Sequence, residues 1–320
     1  MRSNELDYDL PADLVAQHPV EPRDASRMLV FERASGEIRH RTFRDLPEEL
    51  DEHLVVVNDT RVVPARLRLR RETGGAVEVL LLERRENDVW EALARPSRRL
   101  RPGEQLQVRS GGDGTPAELV ENLGEGRWLV RLAGEPHGDV PLPPYIHEPQ
   151  ADPERYQTVY AHDAGSAAAP TAGLHFSSGL LERVDHVAVT LHVGLDTFRP
   201  LTEETVEEHA IHGERYHVDP EAWARIDGAE RVLAVGTTST RVVETVARGG
   251  PLEGRTELYI TPGFAFRRVD ALLTNFHLPR TTLLALVMAF AGVEETRRLY
   301  AVAVEERYRF YSFGDAMLVL

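Results

Sequence analysis

Short apolar stretches with turns between them dominate the first half of the chain. The run LVVV at 54–57 is followed by Asn58, Asp59 and Thr60, a pattern typical of a buried strand that ends in a turn. Further short strands, separated by Gly-rich or Pro-containing turns, are predicted at 76–82, 89–93, 104–108, 117–120 and 127–132. Short strands at such regular spacing indicate a small β-barrel.

The second half alternates between strand and helix patterns. Strands are predicted at 187–192, 231–235, 257–261, 271–274 and 316–320. Helical patterns lie between them at 180–184, 240–247, 282–291 and 294–308, and Gly292 is placed as a C-terminal cap. This alternation is typical of an α/β fold. We therefore predict a layered α/β main domain, 1–64 and 154–320, with a small β-barrel domain inserted at 65–153.

Two residue types are missing from the sequence. The chain has no cysteine, and all 37 of its basic residues are arginine, so it has no lysine. These absences exclude thiolate nucleophiles, Cys-ligated zinc, iron–sulfur clusters and Schiff-base lysines. Acid–base chemistry is therefore left to His, Asp, Glu or Tyr. The chain has no apolar run of the roughly 18 residues that a bilayer requires and no signal-like start, so we expect a cytoplasmic protein without membrane contact.

The formal net charge of −15 argues against a nucleic-acid partner, but its distribution is uneven. The segment 61–101 contains eleven arginines and six acidic residues, so it is locally basic. The segment is either a footprint for a polyanion or a solvated strand face. Charge alone favours the second interpretation.

Polar residues follow several predicted strands, where open α/β sheets bind ligands. His192 ends one strand and Asn275 ends another, shortly before His277. His175 lies in a Gly-containing loop. One such histidine is usually structural, but three at ligand-facing positions make proton transfer a serious hypothesis.

The stretch 236–239, GTTS, lies between a predicted strand and a predicted helix. Gly236 followed by Thr237, Thr238 and Ser239 at a helix N-terminus would present backbone N–H groups to a phosphate or carboxylate. The alternative is an ordinary N-cap by Thr238 or Ser239, which the local sequence favours.

Two further groups have competing interpretations. Asp59 and Arg61 follow the strand at 54–57 and either contact a substrate or form an ordinary turn. His209 and His212, with Glu214, could bind a metal, but Gly213 interrupts the segment and zinc motifs usually space histidines four apart. We therefore interpret 208–214 as a polar loop and expect no metal.

Taken together, these stretches resemble the S-adenosylmethionine:tRNA ribosyltransferase-isomerase family of queuosine biosynthesis. The resemblance rests on motifs in the same order along nearly the whole chain: YDLP at 8–11, SRML at 26–29, NDTRVVPARL at 58–67, LPPYI at 142–146, QTVY at 157–160, PTAGLHF at 170–176, TLHVG at 190–194, TFRP at 197–200, VGTTS at 235–239, LTNFHLP at 273–279 and YRFYSFGDAM at 308–317. Two positions depart from the family pattern: Asp196 stands where Gly is expected, and Gly213 where Ser is expected.

The resemblance implies a two-domain enzyme, in agreement with the predicted division. It implies that S-adenosylmethionine, a co-substrate, gives its ribosyl unit to the 7-aminomethyl-7-deazaguanine wobble base of tRNA. The products would be epoxyqueuosine-tRNA, adenine and methionine, and no cofactor is expected. A base would remove a C5′ proton acidified by the sulfonium. The candidates are His175, His192 and His277, then Glu214 and Asp315, with Thr171, Gly173 and Asn275 as substrate-binding residues.

For tRNA, the basic segment offers Arg66, Arg95, Arg98, Arg99 and Arg101, whose guanidinium groups can hold a phosphate with two hydrogen bonds. The competing account pairs these arginines with carboxylates such as Glu91 and Glu104. Two rival functions also remain: a metal-dependent phosphoribosyl-type transferase or nucleotide hydrolase that uses the corner at 236–239, and a non-catalytic RNA-binding protein that uses the barrel.

Overall fold

The computed structural model describes residues 1–85, 88–108, 114–143, 145–148, 152–194, 201–211 and 213–320. These residues form two compact units. The larger comprises Met1–Thr60, Pro144–Asp163 and Pro170–Leu320, and the smaller comprises Arg61–Pro143 and Ala164–Ala169. The domain boundaries at 65 and 153 stay a prediction.

The strands of the described residues are β1 Arg27–Glu32, β2 Glu37–Thr42, β3 His53–Asn58, β4 Thr60–Val62, β5 Arg66–Arg71, β6 Ala76–Arg84, β7 Val89–Arg95, β8 Gln105–Val108, β9 Ala117–Gly124, β10 Arg127–Leu132, β11 Asp163–Ser166, β12 His186–Leu191, β13 Glu214–His217, β14 Arg231–Val235, β15 Glu253–Thr256, β16 Ala271–Asn275 and β17 Ala316–Val319. The α-helices are α1 Leu46–Glu49, α2 Ser178–Leu181, α3 Pro220–Gly228, α4 Gly236–Ala247, α5 Thr282–Ala291 and α6 Val293–Glu305. Short 3₁₀ turns lie at Ser3–Leu6, Ala12–Leu14, Arg23–Ala25, Phe43–Asp45, Pro153–Tyr156, Thr171–His175 and Val206–Glu208.

The larger unit is built on a mixed sheet. Among the described residues it has nine strands, in the order β15-β13-β12-β3-β14-β16-β17-β1-β2. Its centre is parallel, since β12, β3, β14 and β16 run in the same direction. Parallel central strands are buried on both faces, and β3 has the matching continuous run of Val55, Val56 and Val57.

Different elements cover the two faces of this sheet. Helix α4 packs across β14, β16, β3 and β12. On the other face, a core built from alternate residues of the central strands meets Phe43, Ala172, Phe176 and Leu180. Because side chains alternate along a strand, Val55 and Val57 point toward this second core, and Val56 and Asn58 point toward α4.

The smaller unit contains a closed antiparallel barrel. Its strands follow the order β10-β7-β6-β5-β8-β9. Inward-facing residues such as Leu67, Val79, Ala92 and Trp128 fill the interior. Among the described residues each of these strands pairs with a neighbour on both sides, and such closure is how a small barrel avoids edge-to-edge association.

The predicted fold class, a layered α/β domain with a small β-barrel, is confirmed. Most predicted elements occur within a few residues of their expected positions. The strand predicted at 257–261 is wrong, because the edge strand is β15 Glu253–Thr256, whose polar sequence EGRT has no apolar pattern. The polar edge strand β2, EIRHRT, was missed for the same reason. Among the described residues no helix is both long and apolar enough to span a membrane.

Candidate active site

Four parallel strands bring their carboxyl ends to one edge of the sheet. There β3 ends at Asn58, β12 at Leu191, β14 at Val235 and β16 at Asn275. Ligands of open α/β sheets bind beyond such an edge. The structure therefore gathers most of the predicted site residues in the larger unit, although they are far apart in sequence.

Asn58 connects the ends of β3 and β12 to the first turn of helix α4. Its Nδ2 donates to the Leu191 carbonyl at 3.0 Å and to Thr238 Oγ1 at 3.1 Å. Its Oδ1 accepts from the backbone N–H of Leu191 at 3.0 Å and of Thr60 at 3.2 Å. A fully buried amide that makes four hydrogen bonds fixes the positions of β3, β12 and α4.

Helix α4 begins directly at Gly236, earlier than the predicted helix start at 240. Gly236 has a φ of +85°, which glycine adopts without strain. The N-cap is Val235, and no side chain caps the helix, so the alternative N-cap by Thr238 or Ser239 is wrong. Ser239 Oγ is buried without a hydrogen-bond partner among the described residues. The first turn therefore presents N–H donors and a buried hydroxyl.

His175 is a buried and neutral bridge between two elements. Asn275 Nδ2 donates to His175 Nε2 at 3.1 Å and to the Tyr311 carbonyl at 3.1 Å. His175 Nδ1 therefore carries the proton and donates to Ser26 Oγ at 2.7 Å. Burial, with nearby arginine charges, lowers the pKa of His175 to about 3.

His277 is also buried. Its Nε2 lies 2.8 Å from Thr274 Oγ1, and its backbone N–H donates to the Tyr300 hydroxyl at 3.0 Å. Burial lowers the pKa of His277 to about 3. Its environment therefore favours the uncharged imidazole.

His192 differs from the other two because it is only half-buried. Its Nδ1 lies 2.8 Å from Thr60 Oγ1, and that hydroxyl donates to the Asp163 carbonyl at 3.4 Å. This contact fixes the orientation of the His192 ring at the strand end.

Asp59 lies beside Thr190 at the same edge. Its Oδ1 accepts a hydrogen bond from Thr190 Oγ1 at 2.6 Å. Burial, together with the charge of Asp163, raises the pKa of Asp59.

The loop at 170–176 packs too closely for larger side chains. A Cβ on Gly173 would lie 1.9 Å from the Tyr160 hydroxyl, so only glycine fits there. Thr171 Oγ1 donates to Asn275 Oδ1 at 3.2 Å. The Tyr160 hydroxyl is itself buried without a hydrogen-bond partner among the described residues. This loop therefore contacts Asn275 through Thr171 and Tyr160 through Gly173.

Glu214 and Asp315 are engaged in ion pairs. Glu214 pairs with Arg241 and accepts from the Gly194 backbone N–H at 2.8 Å. Asp315 is 2% exposed and accepts from the backbone N–H groups of Arg27 and Arg309 at 3.1 and 2.8 Å. These carboxylates hold loops in place.

The segment considered for metal binding has other contacts. His209 Nδ1 lies 3.1 Å from Glu203, and His212 lies outside the described residues. No group of three or more metal-ligating side chains occurs among the described residues. Of the two departures from the family pattern, Asp196 also lies outside the described residues. Gly213 leaves room for Glu257, whose Cγ would be 3.1 Å from an added Cβ.

Comparisons with known proteins agree on one family. A family model described as "Queuosine biosynthesis protein" matches residues 3–319. The S-adenosylmethionine:tRNA ribosyltransferase-isomerase of Rubrobacter xylanophilus is 56% identical over 332 residues, covering 100% of this chain and 98% of that protein. The enzyme of the same name from Symbiobacterium thermophilum is 53% identical, with both chains covered completely. The chain belongs to the S-adenosylmethionine:tRNA ribosyltransferase-isomerase family.

A solved structure supports this assignment. The crystal structure of the S-adenosylmethionine tRNA ribosyltransferase from Thermotoga maritima is 37% identical, with a TM-score of 0.56. It is matched over 99% of this chain and 100% of its own. As a family member, this chain is an enzyme of queuosine biosynthesis rather than either of the two rival proteins.

In this ribosyltransferase-isomerase, the predicted tRNA-binding arginines lie in the barrel unit. Arg95, Arg98, Arg99 and Arg101 are exposed, and Arg66 starts β5. The carboxylates of the competing account have other partners: Glu91 pairs with Arg85 and Arg127, and Glu104 with Arg71. Among the described residues no carboxylate forms an ion pair with the four exposed arginines.

Of these arginines, Arg98, Arg99 and Arg101 border a groove of about 740 Å³ lined by residues 98–104, Arg71 and Thr73. The loop at its rim is held in place by Trp128 Nε1, which donates to Ser97 Oγ at 2.9 Å. Arg61 lies in β4, at the start of the barrel unit.

Several residues that build the site were not predicted from the sequence: Ser26, Asn58, Thr60, Tyr160, Thr190 and Arg241. Asn58 could have been found, since it directly follows the predicted strand at 54–57. The partners of His175 and Asp59 come from distant segments, and their contacts exist only after folding.

Proposed function

We propose that this enzyme transfers the ribosyl unit of S-adenosylmethionine to the 7-aminomethyl-7-deazaguanine wobble base of tRNA. The products would be epoxyqueuosine-tRNA, adenine and methionine. Support comes from the family and from relatives named for S-adenosylmethionine and tRNA.

The observation that carries the proposal is the pairing of a half-buried histidine with an uncapped helix terminus at one sheet edge. His192 lies at the end of β12, and Asn58 connects that strand end to Thr238 in the first turn of α4. The histidine supplies a base for the proton next to the sulfonium of S-adenosylmethionine. The helix terminus supplies an anion site for its carboxylate.

In the proposed complex, the methionine carboxylate lies at the N-terminus of α4. The backbone N–H groups of Thr237, Thr238 and Ser239 and the Ser239 hydroxyl would donate to it. This arrangement uses a buried hydroxyl that has no other partner among the described residues. Thr171, Gly173 and Asn275 would shape the adjoining wall.

His192 is the proposed C5′ base. The sulfonium acidifies the C5′ protons, and the His192 imidazole would accept one of them. The exocyclic amine of the 7-aminomethyl-7-deazaguanine base would then attack C1′ as adenine leaves. Epoxide closure would expel methionine as a neutral thioether. His175 and His277 are fully buried, which suits them to holding the site together.

The proposed reaction uses S-adenosylmethionine as a co-substrate and requires no cofactor and no metal. Each step is a proton transfer or a nucleophilic attack that expels a leaving group, and His, Asp and backbone donors can assist these steps.

The tRNA is proposed to bind the barrel unit through the groove bordered by Arg98, Arg99 and Arg101, and through Arg95 and Arg66 of the same unit. These side chains lack carboxylate partners among the described residues, so phosphates can approach them without displacing an ion pair.

Adenine release tests the proposed function. Purified enzyme is incubated with S-adenosylmethionine and tRNA that carries the 7-aminomethyl-7-deazaguanine base, and free adenine is quantified by chromatography. Adenine should appear with this tRNA and stay at background with tRNA that carries guanine there. Equal release with both tRNAs, or none with either, would refute the proposal.

A further inference from the structure

Asp59 is a half-buried carboxyl group that the mechanism above does not use as a proton carrier. It follows β3 at the carboxyl edge, and its backbone N–H donates to the Val189 carbonyl at 3.0 Å. Its carboxyl group lies near Tyr160, whose hydroxyl packs against Gly173 of the loop at 170–176. Oδ1 is held by Thr190 Oγ1 at 2.6 Å, so the orientation of the carboxyl group is fixed.

We propose that Asp59, oriented by Thr190, is the general acid that protonates adenine as it leaves C1′. The proposal rests on the proposed function, since it assigns a role in that same reaction. Asp59 is the catalytic residue in this proposal, and Thr190 is a positioning residue.

The surroundings of Asp59 favour its protonated form. Burial opposes the charged carboxylate, and the nearby charge of Asp163 opposes it further. The Thr190 hydroxyl and His162 act in the other direction and stabilise the carboxylate. Burial, together with the neighbouring Asp59 carboxyl group, raises the pKa of Tyr160, so this phenol stays neutral. His192 contacts Thr60, the residue that directly follows Asp59.

The step balances in atoms and charge. The C1′–N9 bond breaks and its electron pair goes to adenine, while the proton of Asp59 moves to an adenine ring nitrogen. The amine nitrogen forms the new C1′–N bond and becomes a secondary ammonium. That ammonium gives a proton to the Asp59 carboxylate, so adenine leaves neutral and Asp59 ends protonated, as it began.

The test measures adenine release as a function of pH with precursor-modified tRNA, in wild type and three single variants. In wild type the rate should fall as pH rises through the pKa of Asp59, because the acid is then deprotonated. Asp59→Asn keeps the shape of the side chain but carries no transferable proton. It should lower turnover about 100-fold or more and abolish this alkaline decline. Calorimetry should show that it still binds S-adenosylmethionine.

Two variants that retain Asp59 should move the alkaline decline in opposite directions. Asp163→Asn removes a negative charge, so the pKa of Asp59 should fall and the decline should shift to lower pH. Thr190→Val removes a hydrogen bond that stabilises the carboxylate, so the decline should shift to higher pH. A side chain with a purely structural role would produce neither shift.

The outcomes separate the two proposals. If wild type releases no adenine, the proposed function fails, and the role of Asp59 fails with it. If wild type is active but Asp59→Asn keeps turnover within about threefold with the same pH profile, only the role of Asp59 is overturned. Shifts of the same sign in Asp163→Asn and Thr190→Val, or no shift in either, would also overturn it.

Discussion

At the scale of single residues, three histidines with similar sequence context have different environments. His175 and His277 are buried among hydrogen-bond partners, and both have a pKa lowered to about 3. His192 is half-buried and has Thr60 on its Nδ1. Sequence treated the three as equivalent candidates, because burial depends on which loops cover each strand end.

Substitution of His192 by Asn should therefore lower turnover by roughly 10²–10⁴ while the affinity for S-adenosylmethionine is largely kept. A matched control is His186→Asn at the opposite end of the same strand, where Nδ1 lies 3.2 Å from the Val184 carbonyl. Single-turnover adenine release and calorimetry measure the two quantities. If His192→Asn kept near wild-type turnover, His192 would not be the C5′ base.

The two buried histidines also predict acid sensitivity. Their folded-state pKa of about 3 lies below the ordinary value of 6.5, so below pH 6.5 the unfolded chain binds protons that the folded protein excludes. Stability should thus fall as pH drops from about 6.5 toward 3, by about 1.4 kcal/mol per pH unit for each histidine.

His277→Asn should remove one of these contributions. Urea unfolding at pH 6 and pH 5 would give the slope of the unfolding free energy with pH in both proteins. A variant slope smaller by roughly 1 kcal/mol per pH unit is expected. Equal slopes would show that His277 titrates alike in the folded and unfolded states.

At the scale of elements, most strongly apolar segments were predicted and the polar edge strands were not. The runs of β3, β14 and α5 are almost continuously apolar because they are buried, and their predicted positions agree with the structure, whereas the apolar strand β1 was missed. The strands β2 and β15 are polar, and neighbouring strands determine their conformation. The start of α4 was also displaced, because the stretch GTTS at 236–239 has poor helix propensity but forms the first turn beyond a strand.

The proposed carboxylate site in the first turn of α4 can be tested by substitution of Ser239. Ser239→Ala should weaken the binding of S-adenosylmethionine by about 10- to 150-fold, the usual effect of one lost hydrogen bond to a charged group. Decarboxylated S-adenosylmethionine should bind wild type and variant alike.

Thr245→Val is a control in the last turn of the same helix, where the hydroxyl bonds the Arg241 carbonyl at 2.7 Å. It should leave both affinities unchanged in calorimetry. If Ser239→Ala weakened both ligands equally, the carboxylate would bind elsewhere.

At the scale of the whole molecule, an acidic protein must bind an acidic polymer. The net charge of −15 repels tRNA at long range, so local arginines have to supply the attraction. The barrel groove bordered by Arg98, Arg99 and Arg101 offers such a patch. Sequence located these arginines, but their lack of carboxylate partners among the described residues could be seen only in the structure.

Replacing Arg98, Arg99 and Arg101 together by Ala should weaken tRNA binding and flatten its salt dependence by up to about three units. Affinity measured from low to moderate salt gives this slope, and S-adenosylmethionine affinity should stay unchanged. A matched control is the triple replacement of Arg39, Arg41 and Arg231, which pair with Glu49 or Asp51 in the other unit. Unchanged tRNA affinity and slope in the barrel variant would move the tRNA site to the α/β unit.

The most direct test of the central claim, ribosyl transfer, follows the carbon atoms of S-adenosylmethionine. The enzyme is given precursor-modified tRNA and S-adenosylmethionine labelled with ¹³C either in the ribose or in the methyl group, and the tRNA nucleosides are analysed by mass spectrometry. The account predicts that the ribose label enters the wobble nucleoside in proportion to the adenine released, and that the methyl label stays in methionine. Methyl label in the tRNA, or adenine release without ribose label in the tRNA, would contradict it.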